Sequence, residues 1–428
     1  MQVRALVGKG GWLWLALLLV GRLGAAQPVR PGAFSLLNPA RHSAHFSFTT
    51  QRNLIIVAAR INGAGPFNFL LDTGVATSLF TNPRLADSLG LPHGPEYRLV
   101  GVGGEDSGLT AYQARGVRVE LPGVVAPHLT WLVLSSDVLN LSGYAGMPVQ
   151  GIMGAELFHS LVVSIESMQN RITVYDPGTY RVPRNRRWAT LPLRIEREKA
   201  YLTAHVEQLT ASTSVDPLAL QLLLDTGAGH ALSIETSADA RLHLPATCLR
   251  TDLGRGLSGL VSGYLGRVAS LRLGRYRLPQ VLTSFPDSSQ VHQRLPAGER
   301  NRQGNLGYET LKRFHVVIDY PHQQLLLRPT ASLRDPFEHD MCGLDLLATG
   351  PNFHRYLVQR IVPNSPAAAA GISPGEELVS INFLPVSTLS IGDVHRLLHL
   401  RDGLMLFMVL RRPDGELHPA NIRLKRQI

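Results

Sequence analysis

Two stretches decide the fold of this chain: Phe69–Phe80, which reads FLLDTGVATSLF, and Leu222–Ile234, which reads LLLDTGAGHALSI. In both, an apolar, strand-like run leads into Asp-Thr-Gly, and a second apolar run follows. The two aspartates, Asp72 and Asp225, are 153 positions apart. We therefore expect the same turn to be built twice.

The spacing of 153 recurs outside the two stretches. The other pairs that keep it are Leu91-Pro92 with Leu244-Pro245, Gly101 and Gly103 with Gly254 and Gly256, and Gly151, Gly154 and Glu156 with Gly304, Gly307 and Glu309. A register kept over this length indicates two copies of one structural unit.

A pair of carboxyl groups can do chemistry that a single one cannot. An isolated aspartate is an ordinary acid with a pKa of about 3.9. Two carboxyl groups held together in a partly dry cleft cannot both ionise, so they share one proton. The ionised member can then take a proton from water while the neutral member donates one to a carbonyl oxygen, which is what amide hydrolysis requires.

The residues after each aspartate suit this role. Gly74 and Gly227 let the backbone turn tightly, so that the carboxyl groups point into a cleft. Thr73 and Thr226 can hydrogen-bond across the pair and fix it. The alternative interpretation is a duplicated β-domain whose aspartates only close Asx-turns.

At these residues the chain resembles the retropepsin-like aspartic proteases, over about Asn53 to Leu327. The resemblance includes an apolar-apolar-Gly element, which is Ile152-Met153-Gly154 in the first copy and Asn305-Leu306-Gly307 in the second. Asn305 departs from that pattern, because an aliphatic residue is expected at its position.

The resemblance implies a mainly β, bilobal fold in which both lobes belong to one chain, as a pseudo-dimer. It implies a catalytic dyad of Asp72 and Asp225, with Thr73, Gly74, Thr226 and Gly227 supporting the two loops. The substrate would be a peptide or protein, no cofactor would be needed, and a monomer would be active.

Glycine-rich segments after each aspartate are candidates for the flaps that close over substrate in such enzymes. The candidate flap residues are Gly101, Gly103, Gly104, Gly254 and Gly256. Ordinary hairpin turns are the alternative, and only the matched positions of the two segments favour flaps. Glu156 and Glu309 also repeat, but each follows a glycine at a predicted helix start, where a carboxylate favours the helix dipole. We predict a structural role for both.

The N-terminus has the order of a secretory signal. Arg4 and Lys9 precede the apolar run from Trp12 to Val20, and Gly24-Ala25-Ala26 follows. This pattern predicts cleavage after Ala26 and a periplasmic or extracellular protein. The apolar run is too short to span a bilayer, so no membrane span is expected after cleavage.

Composition argues against several other classes of protein. The net charge of +10 permits binding to nucleic acid, but the charges are scattered and no nucleic-acid motif accompanies them, so none is predicted. Two cysteines, Cys248 and Cys342, are too few for a disulfide framework, and free buried thiols are expected. No metal-binding or phosphate-binding motif is present, so we predict no metal.

The period of 153 stops after Pro329, and a different pattern follows. Ser365–Ile372 reads SPAAAAGI and Pro374–Asn382 reads PGEELVSIN, which resembles the PDZ domains of bacterial proteases. Such domains bind peptides by adding a strand to a sheet edge. A helix from Ser390 to His399 and a strand from Leu404 to Arg411 are predicted.

The candidate peptide-binding residues of this module are Phe353, Ile391 and Val394. The segment Gly350–His354, which reads GPNFH, stands where a carboxylate-gripping loop is expected. Strict recognition of a peptide C-terminus is therefore not predicted, and internal strands, including one from the chain itself, remain possible ligands.

The predicted organisation is a signal peptide (1–26), protease lobes one (27–181) and two (182–330), a linker (331–342) and a small α+β PDZ domain (343–428). The leading hypothesis is an exported aspartic endopeptidase whose PDZ domain binds substrate or regulates it. The alternative is a catalytically silent peptide-binding protein with a protease-like cleft. A serine protease is disfavoured because no serine has a credible nucleophile context: Gly256–Gly259, which reads GLSG, lacks the Gly-x-Ser-x-Gly form and falls on the presumed flap.

Overall fold

The computed structural model describes residues 33–99, 101, 103, 109–209, 217–291, 293, 299 and 301–428. The predicted signal peptide lies outside these residues. The described chain forms two compact units. The larger contains residues 33–139 and Val149–Phe337, and the smaller contains Asn140–Pro148 and Glu338–Ile428.

The first lobe of the larger unit is built almost entirely of strands. Its elements are β1 (Ser35–Leu36), β2 (Ser43–Ser47), β3 (Thr49–Gln51), β4 (Leu54–Ile61), β5 (Ala64–Leu71), β6 (Leu79–Phe80), α1 (Pro83–Ser88), β7 (Glu96–Arg98), β8 (Thr110–Leu121), β9 (Val124–Leu134), β10 (Gly151–Met153), α3 (Glu156–Ser160), β11 (Val162–Glu166) and β12 (Arg171–Tyr175). Helix α2 (Leu141–Ala145), which lies between β9 and β10 in sequence, belongs to the smaller unit.

The second lobe repeats this arrangement. Its elements are β13 (Ala189–Pro192), β14 (Arg194–Glu196), β15 (Lys199–Glu207), β16 (Leu218–Leu224), β17 (Leu232–Ile234), β18 (Cys248–Gly256), β19 (Gly259–Leu273), β20 (Tyr276–Pro286), β21 (Gly304–Leu306), α4 (Tyr308–Leu311), β22 (Phe314–Asp319) and β23 (Gln324–Pro329).

The strand order confirms the duplication that the sequence predicts. The first sheet contains the order β9-β6-β10-β5-β4-β8-β7. The second contains β20-β17-β21-β16-β15 in the matching places, and β19 and β18 lie on the other side of β20. Strands β4 and β8 pair in the first lobe, as β15 and β19 do in the second. The two lobes are therefore copies of one mainly β unit.

A third sheet of six strands, in the order β13-β23-β22-β11-β12-β2, joins the lobes. Its central pair is β11 with β22, in which Val163 lies opposite Ile318. One continuous apolar core runs through both lobes. The chain thus supplies within itself an interface that would otherwise require two separate copies.

Local sequence explains the helices as well as the strands. Helix α1 begins at Pro83, whose fixed φ suits a first helical position, and the Asn82 side chain accepts a hydrogen bond from the Leu85 N–H. In the smaller unit, Ser390 and Asp393 form a capping box at the start of α6 (Ile391–Leu398).

The smaller unit confirms the PDZ fold. Its elements are β24 (Leu344–Thr349), β25 (Arg355–Ile361), α5 (Pro366–Ala369), β26 (Glu377–Ile381), β27 (Leu384–Pro385), α6 (Ile391–Leu398), β28 (Met405–Arg411) and β29 (Leu417–Arg423). The sheet order is β24-β25-β26-β28-β29, so β24 lies at an edge. This unit has an apolar core of its own.

The segment Asn140–Pro148 is part of the smaller unit, although it lies nearly two hundred residues ahead of Glu338 in sequence. It contains α2 (Leu141–Ala145), whose residues Leu141 and Tyr144 are buried. The Asn140 side chain caps this helix by accepting a hydrogen bond from the backbone of its first turn.

Two glycines let this segment approach β24 and α6 closely. A Cβ at Gly143 would lie 2.8 Å from Leu347 Cδ1, and one at Gly146 would lie 2.6 Å from Ile391 Cγ2. Gly146 also has a φ of +67°, a conformation that favours glycine. The segment therefore contacts both the edge strand and the helix beside it.

Candidate active site

Each Asp-Thr-Gly follows the end of a buried strand and is held there by a neighbouring strand. The Asp72 N–H donates to the Met153 carbonyl at 2.9 Å, and the Asp225 N–H donates to the Leu306 carbonyl at 3.0 Å. Both aspartates are fully buried. The structure thus brings together the two residues that the sequence singles out, in equivalent backbone positions.

The two threonines brace the loops across the lobes. The Thr73 hydroxyl donates to the Leu224 carbonyl at 2.7 Å and accepts from the Thr226 N–H at 3.0 Å. In return, the Thr226 hydroxyl donates to the Leu71 carbonyl at 2.9 Å and accepts from the Thr73 N–H at 3.0 Å. All four bonds are buried, so the relative placement of the two aspartates is tightly fixed.

The two glycines are required by the close approach of the carboxyl groups. A Cβ at Gly227 would lie 2.1 Å from Asp72 Cγ, and one at Gly74 would lie 3.1 Å from Asp225 Cγ. The Gly74 N–H also donates to Asp72 Oδ1 at 2.6 Å. Any side chain at Gly227 would displace the carboxyl group of the other lobe.

Burial and mutual repulsion make the pair share a proton. Burial, together with the charge of Asp225, raises the pKa of Asp72 well above its usual value. Burial raises the pKa of Asp225 to about 6, and the positive charge of Arg302 limits that rise. Raised pKa values in two neighbouring carboxyl groups favour a state in which they share one proton.

Comparison with known families gives this geometry a context. The aspartyl protease model matches residues 57–157 and again residues 211–310, so that each match contains one of the two aspartates. A PDZ domain model matches residues 357–412.

The chain carries two aspartyl protease domains and a PDZ domain.

Two solved structures resemble parts of the chain. An aspartic proteinase from Irpex lacteus aligns over 68% of this chain and 98% of its own, with 15% identity and a TM-score of 0.41. A photosystem II D1 C-terminal processing protease aligns over 20% of this chain, with 24% identity and a TM-score of 0.19. The match spans only 23% of that protease's length. No curated protein matches the chain.

Two polar groups that lie far from Asp225 in sequence, Asn305 and Arg302, act on its carboxyl group. Asn305 is fully buried, and its Nδ2 donates to Asp225 Oδ2 at 2.7 Å. The charge of Arg302, which is buried and paired with Glu235 at 3.2 Å, also reaches Asp225. Sequence reasoning flagged Asn305 only as a departure from the family pattern, and it missed Arg302 because no motif contains it.

The described flap candidates lie between β7 and β8 in the first protease domain and on β18 in the second. In the second protease domain the turn between β18 and β19 is Leu257-Ser258, so Gly254 and Gly256 lie in the strand that leads to the tip. In the first domain, the Gly101 N–H donates to the Ser258 hydroxyl at 3.0 Å.

Gly103 packs against the same turn. A Cβ at Gly103 would lie 2.3 Å from the Ser258 carbonyl carbon. Gly104 lies outside the described residues. The two described flap candidates of the first domain, Gly101 and Gly103, therefore both contact the hairpin of the second domain.

The repeated glutamates, Glu156 and Glu309, make contacts that stabilise the fold and are not part of the Asp72–Asp225 pair. Ser78 donates both its N–H and its hydroxyl to the buried Glu156, and burial raises the pKa of that carboxyl to about 7. Glu309 accepts from Asn53 at 2.7 Å and pairs with Arg313 at 3.0 Å.

In the PDZ domain, the candidate residues Ile391 and Val394 are buried on α6. Phe353 is half-buried in the turn between β24 and β25, so the segment Gly350–His354 is a hairpin turn. The backbone N–H groups of the loop before β24 already have a partner within the loop. Those of Cys342 and Gly343 donate to the Asp340 carboxylate at 2.8 and 2.9 Å.

Both cysteines are free thiols. Cys342 is buried as expected, but Cys248 is partly exposed, which corrects the expectation for that residue. Among the described residues, no group of three His, Cys, Asp or Glu side chains could hold a metal ion. In the same part of the chain, no helix is long and apolar enough to cross a membrane.

Proposed function

We propose that this protein is an exported aspartic endopeptidase that hydrolyses peptide bonds with a water activated between Asp72 and Asp225. The observation that carries the proposal is the buried pair of carboxyl groups, one from each lobe, braced by four threonine hydrogen bonds. A rigidly held pair of carboxyl groups suits acid–base catalysis, because such groups act only within hydrogen-bond reach of the reacting atoms.

The proposed reaction needs one proton in the pair at the start. The ionised carboxylate takes a proton from water, and the resulting hydroxide attacks the carbonyl carbon of the peptide bond. The protonated carboxyl group donates to the carbonyl oxygen, which gives a tetrahedral intermediate. The carboxyl group that took the proton from water then gives it to the nitrogen, and the other carboxylate takes a proton from a hydroxyl of the intermediate. The C–N bond breaks, which releases an amine and a carboxylic acid and leaves one proton on the pair.

The flap hairpins would cover the substrate during this reaction. Exclusion of bulk water strengthens the electrostatic action of the two carboxyl groups. A hydrogen bond between the flap segments, such as that from Gly101 to Ser258, favours a closed cleft.

The PDZ domain would bind peptide segments at the edge of β24, where Asn140–Pro148 would have to give way because it contacts both β24 and Ile391. A strand added there gains main-chain hydrogen bonds, while side-chain pockets give specificity. Because the N–H groups of Cys342 and Gly343 are already paired with Asp340, internal segments suit the domain better than a free C-terminus. Export is proposed from the N-terminal sequence, Met1 to Ala26, alone.

A digest of a mixed peptide library by the purified protein, with and without pepstatin, tests the proposal. We expect cleavage that pepstatin blocks and that the Asp72→Asn and Asp225→Asn variants lack. The absence of cleavage at every pH from 3 to 8, by protein whose fold is verified by circular dichroism, would instead favour the non-catalytic peptide-binding protein.

A further inference from the structure

The two protease domains differ at one position that touches the dyad. Asn305 and Ile152 are both fully buried and occupy equivalent places, opposite Leu223 in β16 and Leu70 in β5 respectively. Only Asn305 can donate a hydrogen bond, and its Nδ2 lies 2.7 Å from Asp225 Oδ2.

Asp72 has a different kind of partner. Its Oδ1 accepts from the backbone N–H of Gly74 at 2.6 Å, whereas Asp225 Oδ2 accepts from the side-chain amide of Asn305. The aliphatic Ile152 occupies the position beside Asp72 that corresponds to Asn305. The backbone is thus nearly symmetric, while the hydrogen bonding of the two carboxyl groups is not.

A buried asparagine at this position has no evident structural benefit. Asn305 Oδ1 is buried without a hydrogen-bond partner among the described residues, so the amide serves only as a donor. An unpaired buried oxygen costs stability, and an aliphatic side chain such as that of Ile152 would avoid the cost. The amide therefore suits a function that needs its N–H.

The charged and titratable groups that face Asp225 are Asp72, Arg302, Lys199 and Tyr320. Arg302 and Lys199 are cations paired with Glu235 and Glu299, at 3.2 and 3.0 Å. The positive charges of Arg302 and Lys199 favour a negative charge on Asp225, and the hydrogen bond from Asn305 acts in the same direction. Repulsion from that charge then favours the proton on Asp72.

We propose that Asn305 is a positioning residue that makes Asp225 the ionised member of the dyad and Asp72 the protonated one. This assignment rests on the proposed function and adds the roles of the two aspartates. Asp225 takes the proton from water, and Asp72 donates to the carbonyl oxygen of the substrate.

The test compares pH profiles of kcat/KM for a fluorogenic peptide between wild type and Asn305→Leu. Without the donor, the carboxylate of Asp225 is less stable and its pKa rises, so a higher pH is needed to ionise it. The acid limb should move up by about one pH unit, the size expected for one hydrogen bond to a charged group. Ile152→Leu, a matched change in the other lobe, should leave the profile unchanged.

A reciprocal variant provides a second test in case Asn305→Leu does not fold. Ile152→Asn supplies a donor near Asp72, so its carboxylate is stabilised and the basic limb should move to lower pH. Thermal unfolding identifies which variants are folded. An unshifted acid limb in folded Asn305→Leu would overturn the proposal and leave Asn305 as a packing residue, as would an unshifted basic limb in folded Ile152→Asn.

A titration that does not depend on turnover separates this inference from the proposed function. Difference infrared spectroscopy follows the carboxyl bands of the dyad directly, with the Asp72→Asn background isolating Asp225. In that background, Asn305→Leu should raise the midpoint of the Asp225 band. An inactive wild type with this shift would contradict the proposed function alone, and an active wild type without it would contradict the role of Asn305 alone.

Discussion

The backbone N–H of Gly101 donates a hydrogen bond of 3.0 Å to the hydroxyl of Ser258, which joins the segment between β7 and β8 of one lobe to the turn between β18 and β19 of the other. Ser258 is buried at this contact. Because each segment rests on the other, the two should open and close together rather than independently.

Ser258→Ala should therefore loosen closure over substrate. The loss of one hydrogen bond, worth about 1 kcal/mol, should raise KM roughly fivefold and change kcat less. Ser262→Ala is the matched control, since its hydroxyl binds Asp252 within the same hairpin but away from the tip. Equal KM values for the two variants would count against coupled flaps, and steady-state kinetics on a short peptide measures them.

Asp72→Asn or Asp225→Asn alone should remove nearly all peptidase activity. Each aspartate supplies a role that the other cannot fill, so the loss should reach several powers of ten in kcat. The fold should persist, because asparagine keeps the shape of the side chain; circular dichroism checks this. Turnover like that of wild type in either variant would show that the pair is not the catalytic dyad.

Thr73→Ala should destabilise the protein. It leaves the Leu224 carbonyl and the Thr226 N–H buried without their partner, at a cost of roughly 2–5 kcal/mol in the free energy of unfolding. Thr73→Ser keeps the hydroxyl and should lose much less. Urea unfolding of the two variants measures the difference, and equal midpoints would mean that the hydroxyl does not brace the loops.

Activity should not depend on dimerisation. The pairing of β11 with β22 places the interface between the lobes within one chain. Specific activity should stay constant when the protein is diluted from micromolar to nanomolar concentration. A steep loss on dilution, together with a change from dimer to monomer in light scattering, would contradict this.

The repeat in the sequence was enough to predict the double fold and the placement of the dyad. Asp72 and Asp225 could be found because Asp-Thr-Gly is a local motif, which can be recognised from three neighbouring residues. The offset of 153 could be carried over to whole strands, because copies of one unit share one topology. The capped helices α1 and α6 were equally predictable, since caps depend on neighbouring residues.

Features that depend on contacts between distant residues could not be predicted. The role of Asn305 is visible only once β21 lies beside β16, and Arg302 reaches Asp225 only through the fold. The turn at Leu257-Ser258 lies just beyond the candidate glycines, because Gly254 and Gly256 lie in β18 rather than at its turn. Sequence patterns likewise gave no sign that Asn140–Pro148 belongs with the PDZ domain.

That segment has a consequence for the order in which the protein is made. Asn140–Pro148 leaves the ribosome long before Glu338–Ile428, so the smaller unit cannot be completed until the last strand, β29, has been synthesised. Contacts of such long sequence separation close a large loop and form slowly. A fragment that begins at Glu338 therefore lacks part of the smaller unit, and the synthesis of β29 controls when Leu141 and Tyr144 reach their final environment.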